Sequence, residues 1–178
     1  MKKIFFSFLV LALFFSCNTA SEKSEANSTV SDTTAMEPAL PYKALYSSKF
    51  TDKVSDADLV MVMNSYKTWQ DGDVNGMESM MADSVDYDAT SGLSKKYSRA
   101  DLMNMWKTYR DSLSSVKIDM YAWNKMYATD KKEGHVVTWY KEIDTYKDGR
   151  VDSAMYHDIN GVKDGKIVWY SSMKRPYK

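Results

Sequence analysis

Apolar residues crowd the first seventeen positions, all but vanish, then return first with a helical period and finally with an alternating one. Ser55 and Asp58 form a capping box, the signature of a helix start. Behind it Leu59, Val62, Met63, Tyr66 and Trp69 share one face at helical spacing. Asp71-Gly72-Asp73 breaks that helix, and Val74, Met77, Met80 and Met81 stripe a short second one. Ser84 to Asp88 alternates as a short strand. A second capping box, Ser98 with Asp101, opens a third helix marked by Leu102, Trp106, Tyr109 and Leu113. From there the period changes to two. Val116, Ile118, Met120 and Ala122 fall in one phase, Val137 shares a face with Trp139, and Val151, Met155, His157 and Ile159 form a third run. Asp148-Gly149 and Asp164-Gly165 are hairpin turns, the second leading into Ile167, Trp169 and Met173. Helices followed by consecutive hairpins predict an α+β domain, with about three N-terminal helices packed on one face of an antiparallel sheet.

The first apolar block has a different meaning. Lys2 and Lys3 precede Ile4 to Phe15, a run of apolar residues broken only by Ser7. It is too short to cross about 30 Å of hydrocarbon and has the length of an export signal. Leu13-Phe14-Phe15-Ser16-Cys17 resembles a bacterial lipobox, although Leu and a small residue are usual where Phe14 and Phe15 stand. The resemblance implies cleavage before Cys17 and acylation of that residue. Cys17 is the only cysteine, so no internal disulfide accounts for it. Residues 18–36 are rich in Ser, Thr, Asn and Glu and cannot offset the entropy of ordering. The chain therefore divides into a lipoprotein signal peptide at 1–16, a lipidated Cys17 and tether at 17–45, and a folded domain at 46–178. The expected location is outside the cytoplasm, on the outer membrane, facing the periplasm or the cell surface.

The order of elements over about residues 56–177 resembles the nuclear transport factor 2-like (NTF2-like) superfamily, in particular its SnoaL-like branch. Trp69-Gln70-Asp71-Gly72-Asp73 matches the helix break of that branch, Met77 to Asp83 its short second helix, Val85 the strand that follows, and Asp164 to Trp169 its closing hairpin. The resemblance implies a cone: a curved sheet wrapped around helices, open at one end. Its members range from isomerases, dehydratases and cyclases to proteins without known activity, so the fold leaves the function open.

Composition narrows the chemistry. Acidic and basic residues balance at 24 each, and loss of Lys2 and Lys3 with the leader tips the remainder slightly negative. A nucleic-acid partner is not expected. With two histidines and Cys17 committed to the leader, no zinc set exists, and no glycine-rich phosphate loop is present, so no metal or cofactor is expected. The chain is rich in aromatics, with 5 Trp and 13 Tyr. Tyr66, Trp106, Trp139, His157 and Trp169 are the expected cone lining. Two functions follow. One is a binding domain for a small apolar or aromatic molecule, or for a partner. The alternative is a proton-transfer enzyme of the isomerase, dehydratase or cyclase type with His157 as general base. Binding is the expectation, catalysis the alternative. Tyr121, Trp123 and Tyr127 are expected on the outer sheet face, where a second copy could dock to form a homodimer.

Overall fold

The structure, a computed structural model, describes residues 39–177, and the compact unit that holds the elements below begins at Tyr42. The signal peptide, Cys17 and most of the tether lie outside the described residues. Strand β1 (Phe50–Thr51) leads to helices α1 (Asp56–Asp71) and α2 (Val74–Glu78). Then come β2 (Met81–Asp88), β3 (Ser94–Ser98), α3 (Arg99–Arg110), β4 (Leu113–Ala128), β5 (Glu133–Tyr146), β6 (Val151–Lys163) and β7 (Lys166–Pro176).

Local signals set the helices. Ser55 accepts a hydrogen bond from the Asp58 amide at 2.9 Å, and Ser98 one from Asp101 at 3.1 Å. Each satisfies an amide that the first helical turn leaves unpaired. Gly72 ends α1 in the left-handed region at φ 81°, with its amide bonded to Trp69 O at 3.1 Å and that of Asp73 to Thr68 O at 2.9 Å. Helix α2 stops at Glu78, three residues before the expected stripe does. The Met80 carbonyl is taken by the Ile167 amide at 2.8 Å, and Met81 already pairs with Ile167 in the sheet.

The sheet runs β1-β4-β5-β6-β7-β2-β3 and is antiparallel throughout except where β2 lies parallel to β7. Strands β1 and β3 are additions to the sequence reading. Asp164 and Gly165, at φ 51° and 70°, make the tight turn between β6 and β7. The helices cover the concave face. Lys125 of β4 reaches Asp56 at the start of α1 at 2.9 Å, and the Ile118 amide reaches the Gln70 side chain at its end at 2.9 Å. Arg110 of α3 donates to the carbonyls of Trp69 and Gln70 at 3.1 and 3.2 Å, which ties the two helix C-termini together.

Two of the register shifts in the sheet set the phases of the C-terminal half of β4 and of β7. Register shifts between Met120 and Ala122, leaving Tyr121 without a partner, and again where Trp169 pairs with Gly161 but Ile167 with Val162. Met120 therefore packs on the core while Ala122 pairs with Trp139 on the convex face. Likewise Ile167 is fully buried in the core, whereas Trp169 turns outward. A bulge inserts one residue and inverts the alternation beyond it.

Candidate functional site

Strands β5, β6 and β7 present successive rows of side chains to α1 and α3. The first row, Gly134 beside Val162 and Ile167, belongs to an apolar core completed by Val62, Val136 and Met81. The next rows turn polar: Asn160 with Tyr170, then Thr138 with Asp158 and Ser172, then Tyr140 with Tyr156 and Lys174, and finally Glu142 beside Ala154. Where the apolar row ends a cavity of about 380 Å³ opens, walled on the helical side by Ser65, Tyr66, Trp69, Trp106 and Tyr109. Its lining is mainly aromatic. Tyr140 and Tyr156 stack at 5.3 Å between centroids, Tyr66 stands edge-on to Tyr140 at 5.0 Å, and Trp69 stacks on Tyr109 at 6.1 Å.

Behind the lining lies Asp158, fully buried. Its Oδ2 accepts hydrogen bonds from the hydroxyls of Tyr170, Tyr140 and Tyr66 at 2.6, 2.8 and 3.0 Å, and its Oδ1 from Ser172 at 2.6 Å. Four donors saturate an ionised carboxylate, which has about four acceptor sites. Burial raises the pKa of Asp158, and the four hydroxyls oppose that rise by stabilising the anion. The three tyrosines are raised well above the usual phenol value, first by burial and then by the charge of Asp158. With its proton on Asp158, Tyr66 can accept from Asn160 Nδ2 at 3.0 Å and from Thr138 at 2.8 Å. Asn160 also donates to Val136 O at 3.3 Å, and its own Oδ1 is buried with no partner.

Glu142 stands four residues along β5 from Thr138, roughly 13 Å from the Asp158 row at strand spacing. It is only 7% exposed, and among the described residues no salt bridge reaches it. Burial, then the charges of Asp144 and Asp158, push its pKa up to about 8, against the pull of the Trp69 indole and the Lys174 ammonium. Asp144 is raised by burial too, and the Tyr109 hydroxyl donates to it at 2.9 Å. Lys174 is held by Asp152 at 2.9 Å and lies 5.7 Å from the centroid of Tyr156.

Of the lining expected from the sequence, Tyr66 and Trp106 face the cavity. His157, Trp139 and Trp169 do not. His157 lies between Trp139 and Met173 in a row on the convex face, and its ring stacks on Trp139 at 4.9 Å, 9° from parallel. The inward phase of β6 is Ala154, Tyr156, Asp158 and Asn160, the opposite of the one that Val151 and Ile159 suggest. Trp169 donates to Asp88 at 2.7 Å and meets His135 edge-on at 5.7 Å, above Gly161. On β4, Trp123 pairs with Thr138 and so belongs to the concave side, and Tyr127 packs on the core. Their expected place on the convex face is inverted by the bulge at Tyr121. Sequence reasoning passed over Asp158, Glu142, Asn160 and five of the cavity tyrosines. One signal was present: Tyr140-Glu142-Asp144 and Tyr156-Asp158-Asn160 both alternate as polar residues that carry hydrogen-bonding groups into a buried face.

The domain matches several solved structures. An LEH-like epoxide hydrolase of M. tuberculosis superposes with a TM-score of 0.56 at 10% identity, over 67% of this chain and 83% of that one. AusH of Aspergillus nidulans gives 0.55 at 12% identity, over 68% and 86%. An NTF2-like protein of unknown function from Exiguobacterium sp. 255-15 gives 0.55 at 14% identity, over 65% and 98%. No family model and no curated protein matches the sequence. The domain has the NTF2-like fold: among the described residues, three helices held in the concavity of a mixed, mostly antiparallel seven-stranded sheet.

Proposed function

We propose that this protein is an exported lipoprotein, acylated at Cys17 and anchored to the outer membrane, whose NTF2-like domain binds a small molecule in the cavity between α1, α3 and the concave face of the sheet. The observation that carries the binding reading is the cavity itself. Its size falls within the range of about 300–1,000 Å³ typical of small-molecule sites, and its aromatic walls with a few converging polar groups have the usual composition of such sites. A thermal-shift screen of the full chain against hydrophobic small molecules tests it. A rise in Tm that Trp106→Leu abolishes and Trp139→Ala leaves intact is the expected result. No rise with any compound would overturn it. For the anchor, metabolic labelling with an alkyne fatty acid should mark the protein, and Cys17→Ser should remove both the label and the membrane association. Labelling that survives Cys17→Ser would end that reading.

The enzymatic alternative rests on a different residue from the one the sequence suggested. His157 faces away from the cavity, whereas Glu142 lines it with a pKa of about 8, in the range where a carboxyl group exchanges protons at neutral pH. Turnover of a carbonyl compound that Glu142→Gln abolishes and His157→Ala spares would establish it. A homodimer through the convex face is also proposed. Trp139 and Met173 are 37% and 52% exposed in one row with His157 and Ala122, and a second copy would cover them. Trp139→Ala should then shift the mass measured by light scattering toward the monomer.

A further inference from the structure

Resting on the reading of the cavity as a small-molecule site, we infer that its ligand is an organic ammonium ion, a protonated amine on an aromatic or aliphatic body, with the charged nitrogen directed to Glu142. The polarity of the wall carries this. Tyr66, Tyr140, Tyr170 and Ser172 all line the cavity, and all four turn their hydroxyl protons away from it, onto Asp158. What the oxygens of Tyr140, Tyr170 and Ser172 have left to offer are lone pairs, whereas the Tyr66 oxygen already meets Asn160 and Thr138. Asn160 offers the cavity no donor, because its amide hydrogens are used by Tyr66 and Val136. The wall therefore presents acceptors and asks for a donor.

Charge points the same way. Glu142 is a buried carboxyl that no cation of the described residues pairs with; burial and the charges of Asp144 and Asp158 hold its proton on at neutral pH, and an arriving ammonium would relieve that repulsion and release the proton to solvent. The cations nearby are already occupied. Lys174 is paired with Asp152, and Arg110 is spent on the carbonyls that end α1. An anionic ligand would meet carboxylates and lone pairs, whereas an ammonium would meet both and the faces of tyrosine and tryptophan rings, which attract cations. Lys174 beside the Tyr156 ring is an internal example of that contact.

The test is a calorimetric titration of the full chain with three probes of one shape: 2-phenylethylammonium, the neutral 2-phenylethanol and the anionic 3-phenylpropanoate. The ammonium should bind at least about tenfold more tightly than the alcohol, as expected where charge-assisted bonds and ring faces act together. The anion should bind least. Glu142→Gln, which keeps the shape of the side chain, should remove the preference for the ammonium over the alcohol. Equal binding of ammonium and alcohol, or tightest binding of the anion, would overturn the inference while leaving a working cavity. Binding of none of the three at millimolar concentration would overturn it together with the reading of the cavity on which it rests. Since the three probes already discriminate on the unaltered protein, the result does not depend on the variant folding.

Discussion

His157 and Asp158 are neighbours in the chain and belong to opposite faces of the same sheet. On the convex face aromatic rings are used as flat surfaces: His157 lies on Trp139, and Trp169 meets His135 over a glycine. These contacts are pairwise, and the row they form is partly open to solvent. On the concave face the rings are used for their hydroxyls as much as for their area. Three tyrosines converge on one carboxylate that solvent does not reach. A pair of stacked rings can lose one member and retain most of its surroundings. A saturated carboxylate that is removed leaves four donors without an acceptor, and each buried unsatisfied group costs about 1–3 kcal/mol. The same residue types thus carry very different weight on the two sides of one strand.

The sharpest break in this comparison is Asp158→Ala. It should destabilise the fold by at least about 3 kcal/mol in a urea titration, because the tyrosine and serine hydroxyls would be stranded together. A loss below about 1 kcal/mol would mean that the hydroxyls find other partners and that the hub is not what holds the concave face. Next in size is Gly161→Ala. An added Cβ would come within 3.0 Å of the Trp169 Cβ and 3.5 Å of its ring, an overpacking that should cost about 1–3 kcal/mol. The Trp169 Cβ is fixed to its own backbone, so relief of the contact requires β6 and β7 to move apart. If Gly161→Ala were neutral, the contact of Trp169 with β6 would be looser than the geometry suggests.

Glu142 gives a smaller effect with a distinctive pH signature. Its folded pKa of about 8 exceeds the usual 4.5, so the folded state binds more protons than the unfolded one between these values. Stability from this group is fully present below pH 4.5 and is lost as pH rises toward 8, by up to about 1.4 kcal/mol per pH unit. Denaturation midpoints of Glu142→Gln should lack this decline, and the difference between the two proteins isolates the group. His135, whose pKa burial lowers, acts in the opposite sense by weakening the fold as pH falls below 6.5, and cancels in the same difference. An unchanged slope in the variant would mean that water reaches Glu142. The smallest effect is expected of His157→Ala: about 1 kcal/mol or less in stability, from the lost stacking on Trp139, and no change in ligand binding. A His157 variant that lost binding would place the site on the convex face and invert the comparison.

The helices were legible because their signals are local. Ser55, Ser98 and the Asp71-Gly72-Asp73 break act within a few residues, and the apolar stripe from Leu59 to Trp69 needs only the helical period. The Asp-Gly turns were legible for the same reason, since positive φ is a property of the turn residues themselves. The α+β class followed from these together. The site was less legible. Tyr66 and Trp106 were found because a helix has one buried stripe. On β5 the alternation is hidden, because both faces are covered between His135 and Thr138 and apolar and polar residues are buried side by side.

What the sequence determined by itself, then, is the helix starts, most of the strands, the two Asp-Gly turns and the class of fold, all written in interactions a few residues long. Tertiary structure decided which face of each strand is the inside. A one-residue bulge at Tyr121 and another beside Trp169 invert that choice, and nothing in the alternation of either strand marks where it will fall. It also decided that β2 would pair in parallel with β7, more than eighty residues away, and that Tyr66, Tyr140, Tyr170 and Ser172 would meet on Asp158. A buried carboxylate is tolerable only when several distant donors arrive at once. That condition belongs to the assembled cone and to no segment of the chain.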